Sequence, residues 1–135
     1  MEEIADKRKT EGFRPDAKNV MDSHAVVLIA IRGNRSIGLD CGGCGYKGCQ
    51  EFDKAGWKQG KDFSGPTYVF KTLDMGIALG SAAKTASILD IDNRIMYRIG
   101  ASASKLKLLP HATIIVRIPV SVGGKNIYFD RPANV

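Results

Sequence analysis

Cys41, Cys44 and Cys49 are the only cysteines in the chain, and they fall in one short stretch, Asp40-Cys41-Gly42-Gly43-Cys44-Gly45-Tyr46-Lys47-Gly48-Cys49. The spacing is C-x2-C-x4-C. Two thiolates at C-x2-C spacing can face one point from a single tight turn. A third, at the start of a following helix, can complete a three-point cradle. The intervening glycines permit positive φ, remove side-chain bulk and leave backbone N–H groups free to reach thiolates or cluster sulfides. Donors of that kind tune an iron–sulfur cluster's potential. An odd cysteine count, crowded this way, argues against a disulfide framework and for thiol or metal chemistry in a reducing cytoplasm.

Other chemistries fit these residues less well. A catalytic cysteine needs a base beside it, and the two histidines, His24 and His111, are not placed near the turn by sequence. Cys41 and Cys44 have the spacing of a thiol–disulfide pair, but the glycines and the third cysteine fit metal binding better. No GxxxxGK[ST] phosphate loop is present. Asp90, Asp92 and Asn93 lack the rest of a calcium loop and read as helix caps.

The surrounding elements must hold these thiols in place. Residues 1–19 read as a short helix over about 2–10 and then a loop at Pro15. His24 to Ile31 is a continuous apolar run, rich in β-branched residues and closed by Gly33-Asn34. It reads as a buried strand covered on both faces, with His24 a capping or surface histidine. Gln50 to Trp57 reads as a short helix, with Trp57 as half-buried cover over the cysteines. The glycine-rich stretch to Pro66 reads as loop.

From Thr67 to Leu89 the pattern is helical. Small residues recur at four-residue spacing: Gly76 with Gly80, and Ala78 with Ala82 and Ala86. The two glycines cost about 1 kcal/mol each against alanine, so packing must offset them. A central buried helix or a helix–helix dimer contact would use such a surface. Arg94 to Leu108 reads as a second helix, closed by Pro110. Thr113 to Val120 reads as a second strand whose Pro119 belongs at an edge or sheet exit. Lys125 to Phe129 reads as a third strand or an extended tail. This order predicts an α/β (α+β) domain, with a small mixed sheet packed by a long helix rich in small residues. A single domain over residues 1–135 is expected, with a cysteine-rich insertion at about 38–66.

The composition narrows the partners. With 44% hydrophobic and 25% charged residues the chain is ordinary for a soluble domain, and +6 is only modestly basic. The basic residues form no stripe of the kind nucleic-acid binding needs. Met75 to Ala83, the longest nearly uncharged segment, is too short to span a bilayer. Met1-Glu2-Glu3 is unlike a secretory signal. The expectation is a cytoplasmic protein that binds neither nucleic acid nor membrane.

Cys41 to Cys49 resembles the CGxCGYxxC segment of four-iron cluster domains found in electron-transfer proteins, and Phe52 matches the aromatic or apolar residue that usually follows. The resemblance implies a cluster held by Cys41, Cys44 and Cys49. That pattern has a fourth cysteine downstream, and this chain has none; Gly65-Pro66-Thr67-Tyr68 lies where it is expected. Several outcomes stay open: a three-iron cluster, a non-cysteine ligand such as Asp40 or an external molecule, a ligand from a partner chain, zinc, or a turn that keeps only its thiols.

A wider resemblance covers nearly the whole chain. The Ala25–Ile31 run, the cysteine turn, Asp74 to Ala82, Asp92 to Tyr97 and Gly123 to Arg131 resemble a prokaryotic family of uncharacterised proteins described as containing a ferredoxin domain. Its members are longer at the N-terminus, so this chain is expected to be a short version or a fragment. A fainter likeness, to the C-terminal half of nitroreductase-type flavoproteins, implies a homodimer with FMN at its interface. Lys84, Lys125 and Arg131 are then the phosphate candidates, although the arginine-rich phosphate-binding segment of those proteins is missing. The expected function is a small iron–sulfur electron-transfer protein, homodimeric and with a redox partner protein. The alternatives are an FMN-dependent oxidoreductase of nitroreductase type and a non-catalytic interaction protein that has lost its cluster. No catalytic residue is assigned.

Overall fold

A computed structural model describes residues 13–60, 62–97 and 106–129. Along them run helix α1 (Phe13–Met21), strand β1 (Ala25–Ile31), helix α2 (Cys49–Lys54), strands β2 (Lys58–Gln59) and β3 (Ser64–Gly65), helix α3 (Val69–Ile88), and strands β4 (Asp92–Asn93) and β5 (Ile114–Ser121). The architecture is α+β, as expected. The expected helix over about 2–10 lies outside the described residues, and the loop expected after it at Pro15 is instead helix α1, where Pro15 falls in the first turn and loses no intrahelical N–H bond.

β5 is the central strand, in the order β1-β5-β4, and every pairing of this sheet is antiparallel rather than mixed. Its β-branched run is buried nearly throughout, with Ile115, Ile118 and Pro119 wholly enclosed. β1 pairs with it from Ala25↔Val120 to Ile31↔Ile114. β1 was expected to be covered on both faces, but it is an edge strand, and Val27 is exposed. A continuous apolar run sets strand propensity, while sheet position depends on which partners are available. β2 and β3 form a separate two-stranded ribbon within the stretch expected to be loop.

Pro119 sits inside the central strand, not at an edge or exit. The register explains how it is tolerated. β4 pairs Asp92↔Ser121 and Asn93↔Val120, and the same register resumes at the Met96↔Arg117 bridge. Arg94 and Ile95 therefore fall opposite Pro119 and Ile118, where the ladder is interrupted. A proline has no N–H to donate there, so the outer strand is split in two. The freed Arg94 turns to the tail instead, donating from Nη1 to the Tyr128 carbonyl at 2.8 Å and lying 5.3 Å over the Phe129 ring. Residues 92–96 are thus strand and bridge, so the helix expected from Arg94 does not begin there; residues 98–105 lie outside the described residues. The 127–129 stretch is a turn rather than a third strand. It carries Tyr128, fully buried against Met96, with its hydroxyl 2.9 Å from Ser23 Oγ. Arg117 is buried too, and burial pulls its pKa down.

α3 follows its expected bounds closely and lies across the sheet. It seats Met75 in the core and half-buries Ala82, Ala83 and Ala86. The opposite face is exposed and carries Leu73 at 55%, Ile77 at 72% and Ile88 at 69%, with Lys84 among them. Gly76 and Gly80 face open space.

One seam ties the cysteine region to this sheet. Gly33, just past β1, donates its N–H to Thr113 Oγ1 at 2.8 Å and accepts from the Tyr68 N–H at 2.8 Å. Thr113 N–H in turn donates to the Ile31 carbonyl. A Cβ on Gly33 would stand 2.5 Å from Thr67 Cγ2 and 3.1 Å from Thr113 Oγ1. Overpacking of this kind costs about 1–3 kcal/mol. Gly33→Ala is therefore expected to lower the urea midpoint, with the m-value unchanged; an unaltered midpoint would show that the seam gives way freely.

Candidate metal centre

Cysteine geometry starts with the glycines. Gly42 and Gly45 have φ of 71° and 82°, values open to glycine at no steric cost. Gly45 N–H closes the turn onto the Gly42 carbonyl at 2.9 Å. This brings Cys41 and Cys44 onto one side of the loop, and Cys49 follows as the first residue of α2.

Asp40 and Cys49 close the loop reciprocally. The Asp40 N–H donates to Cys49 Sγ at 3.3 Å, and the Cys49 N–H donates to Asp40 Oδ1 at 2.6 Å. Helix α2 has glycine, Gly48, at its N-cap and no side-chain cap from it, so a carboxylate from earlier in the chain serves one of the free N–H groups. Asp40 adopts φ of 48° to do so, a region that Asp visits more readily than most residues. Its Oδ1 is thereby engaged as a clamp. A second clamp holds the approach to the loop: the Ser36 N–H and Oγ–H each donate to Asp53 of α2 at 2.8 Å. The Ser36 backbone bond, then its hydroxyl, lowers the Asp53 pKa from 3.8. This clamp is therefore fully made above about pH 3.8 and is lost as the pH falls through the lowered value.

Cys44 is held from the other side. The N–H of Val69, the first residue of α3, donates to Cys44 Sγ at 3.2 Å. The sulfur therefore sits at the N-terminus of the long helix, the end that favours negative charge. Gly43 leaves the room this needs: a Cβ there would lie 3.2 Å from Val69 Cγ1 and 3.4 Å from Cys41 Sγ.

Tyr68 closes the back of the site. It is 1% exposed and packs with Cys49 and Phe52, flanked by Cys44, Tyr46 and Phe70. The ring centroids of Tyr46–Phe52 and Phe52–Tyr68 are 5.7 Å apart and those of Tyr68–Phe70 5.9 Å, within the range of favourable aromatic pairs. The Tyr68 hydroxyl is buried and finds no hydrogen-bond partner. Burial, and after it the neighbouring Cys49 side chain, raises its pKa above 10.0, against a smaller opposing effect of the Ile37 backbone, so the phenol keeps its proton.

Cys41, Cys44 and Cys49 line one cavity with Gly42, Gly43, Tyr68 and Phe52. Its free space is about 10 Å³. The thiols grade from exposed Cys41 through half-buried Cys44 to buried Cys49, and none is in a disulfide. Among the described residues, no three His, Cys, Asp or Glu side chains converge on a point that a single ion would fill. A tetrahedral zinc site needs that convergence. An iron–sulfur cluster takes each thiolate on a different iron and does not. The three thiols, the N–H donors on two of them and the buried orphan hydroxyl fit a cluster as a donor set.

The other sequence candidates lie elsewhere. Trp57 is half exposed and lines a separate cavity with Gln59, Phe63, Leu109 and Thr113, so it does not cover the cysteines. The local helix ends at Lys54, before Trp57, which frees it to follow the β2–β3 ribbon. His24 accepts the Val122 N–H on Nδ1 at 3.4 Å, a structural role like the one expected, and His111 is exposed. Lys84 is exposed on α3 and Lys125 is exposed in the turn after β5, whereas Arg131 lies outside the described residues. No sequence signal had marked Asp40 as the Cys49 clamp, because the two are joined only once the glycine turn folds back.

An α+β domain carrying a three-cysteine loop against the start of its long helix is the class that fold and site define. The chain belongs to the family described as "uncharacterized protein containing a ferredoxin domain", which matches residues 64–131. That match begins after the cysteine loop and takes in Tyr68, α3 and β5. A relative from Archaeoglobus fulgidus, described only as an uncharacterized protein, is 45% identical over 131 residues, covering 97% of this chain and 70% of its own length. No solved structure matches the chain significantly. Likeness to nitroreductase-type flavoproteins finds no support in these comparisons. No helix among the described residues is long and apolar enough to cross a membrane.

Removing the Asp40 carboxylate tests the clamp. Asp40→Ala is expected to lower stability by about 1 kcal/mol, the usual worth of a helix cap, and to speed alkylation of Cys49 by iodoacetamide. Unchanged alkylation would mean that the loop is held by other bonds.

Proposed function

We propose that this chain is an iron–sulfur protein that carries electrons, with Cys41, Cys44 and Cys49 as the cluster ligands. The observation that carries the reading is the gathering of all three thiols around one cavity, with backbone N–H groups donating to the sulfurs of Cys44 and Cys49. The family's description as containing a ferredoxin domain agrees with it. A bound cluster supplies reversible one-electron transfer.

The chain's own residues do the rest. Asp40 and Val69 hold two sulfurs through N–H donors, which favour the anionic thiolate. Phe52 and Tyr68 keep water from the inner side. Cys41, on the exposed side, is the arm through which electrons pass to a partner protein. Three cysteines are present in this sequence, so the remaining corner would take a non-cysteine ligand such as Asp40, an external molecule or a partner residue, unless the cluster is of a three-iron type.

The same reading includes a homodimer through the exposed face of α3. Gly76 and Gly80 would let two helices approach closely there, and Leu73 and Ile77 would be covered. Sedimentation of the wild type is expected to report a dimer and Ile77→Asp a monomer; a monomeric wild type removes this part of the proposal.

The deciding experiment is anaerobic purification with iron, sulfide and zinc analysis and a visible spectrum. Iron and sulfide in comparable amounts, with broad visible absorption that bleaches on reduction, are expected. Cys49→Ser should lose most of the iron while staying folded by circular dichroism. Zinc without sulfide, or the paired bands of a flavin, would move the function to a different class. A colourless protein after reconstitution would remove the electron-transfer role.

A further inference from the structure

The Tyr68 hydroxyl is buried with no well-formed hydrogen bond, and its neighbours are the Cys49 side chain and the Ile37 backbone, so the sulfur it stands nearest to is one of the three that line the cavity. Tyr68 lines the cysteine cavity, is 1% exposed, and has no hydrogen-bond partner for its hydroxyl. Leaving a buried hydroxyl unpaired costs about 1–3 kcal/mol, and buried polar groups are almost always satisfied. The ring packs against both Phe52 and Phe70, and its backbone N–H is bound to Gly33. Two ring contacts and the seam to the sheet thus hold the residue in place.

We infer that Tyr68 is a positioning and tuning residue, whose O–H donates a hydrogen bond to a sulfur of the cluster held by Cys41, Cys44 and Cys49. The inference rests on the iron–sulfur reading and goes beyond it by giving a role to the side where the fourth cysteine is missing. Tyr68 stands in the stretch where that cysteine is expected, and it offers a proton in place of a thiolate. The consequence has a sign. Adding an electron makes the cluster more negative, and a donor stabilises the more negative form. Tyr68 therefore raises the potential, and a chain without the hydroxyl is harder to reduce.

The test compares wild type with Tyr68→Phe, which keeps the ring and removes only the oxygen. Both are reconstituted anaerobically, their iron and sulfide are measured, and the midpoint potential is followed by visible absorption. Equal cluster content and a shift to more negative potential in Tyr68→Phe are expected. A second readout, electron–nuclear double resonance of the reduced proteins before and after transfer to deuterium oxide, should show a coupled exchangeable proton in wild type that the variant lacks. Equal content with an unchanged potential and the same coupled proton would overturn the inference while leaving the electron-transfer reading standing. A folded Tyr68→Phe that no longer holds iron would overturn it as well, in favour of direct ligation by the phenol oxygen. A wild type that takes up neither iron nor sulfide fails at the earlier step, and the inference falls with the cluster.

Discussion

The site depends on one crossing point, the two hydrogen bonds made by Gly33. Its N–H goes to Thr113, at the start of the central strand, and its carbonyl takes the N–H of Tyr68, at the start of the long helix. Each bond alone is worth about 1 kcal/mol. Together they fix three segments far apart in sequence: the end of β1, the beginning of α3 and the beginning of β5. The cysteine loop leaves the sheet at this point and returns to it through Tyr68. Its two ends are therefore anchored on the sheet, while the Ser36–Asp53 and Asp40–Cys49 bonds set its course between them.

Within the loop the chain uses backbone donors where a side chain would take too much room. The N–H groups of Asp40 and Val69 approach sulfur at 3.3 and 3.2 Å, and the residues between are largely glycine. Asp40 joins the two halves of the arrangement by capping α2 through its carboxylate and holding Cys49 through its amide. An aromatic stack of Tyr46, Phe52, Tyr68 and Phe70 lies behind them. Thiol-bearing loop and aromatic wall form a single unit, in which Cys49 is both a chemical group and a packing residue.

Much of this could be read from residue types and spacing. The cysteine turn, the α3 helix and the two long strands follow from local patterns: glycine between thiols, helical periodicity, and β-branched runs. What could not be read depends on neighbours. Ala25–Ile31 looks as buried as Ile114–Ser121 by composition, yet among the described residues only the second strand has a partner on each side. Pro119 suggests an edge until the register shows its nitrogen facing a break in β4. Trp57 is close to the cysteines by number, but the hairpin of β2 and β3 carries it away. Tyr68 drew notice only by standing where a cysteine was missing; its buried, unpartnered hydroxyl is a property of packing that no local pattern encodes.

The graded shelter of the three sulfurs has a chemical consequence of its own. Cys41 lies open to solvent, Cys44 is half covered and Cys49 is enclosed. Thiolates oxidise to sulfenic and then sulfinic acid according to their exposure. For a loop that carries no cluster, exposure puts Cys41 first within reach of an oxidant in solution, and within reach of reductants that reverse a first oxidation. Cys49, whose alteration would disturb the aromatic packing and the Asp40 clamp together, is the most sheltered of the three.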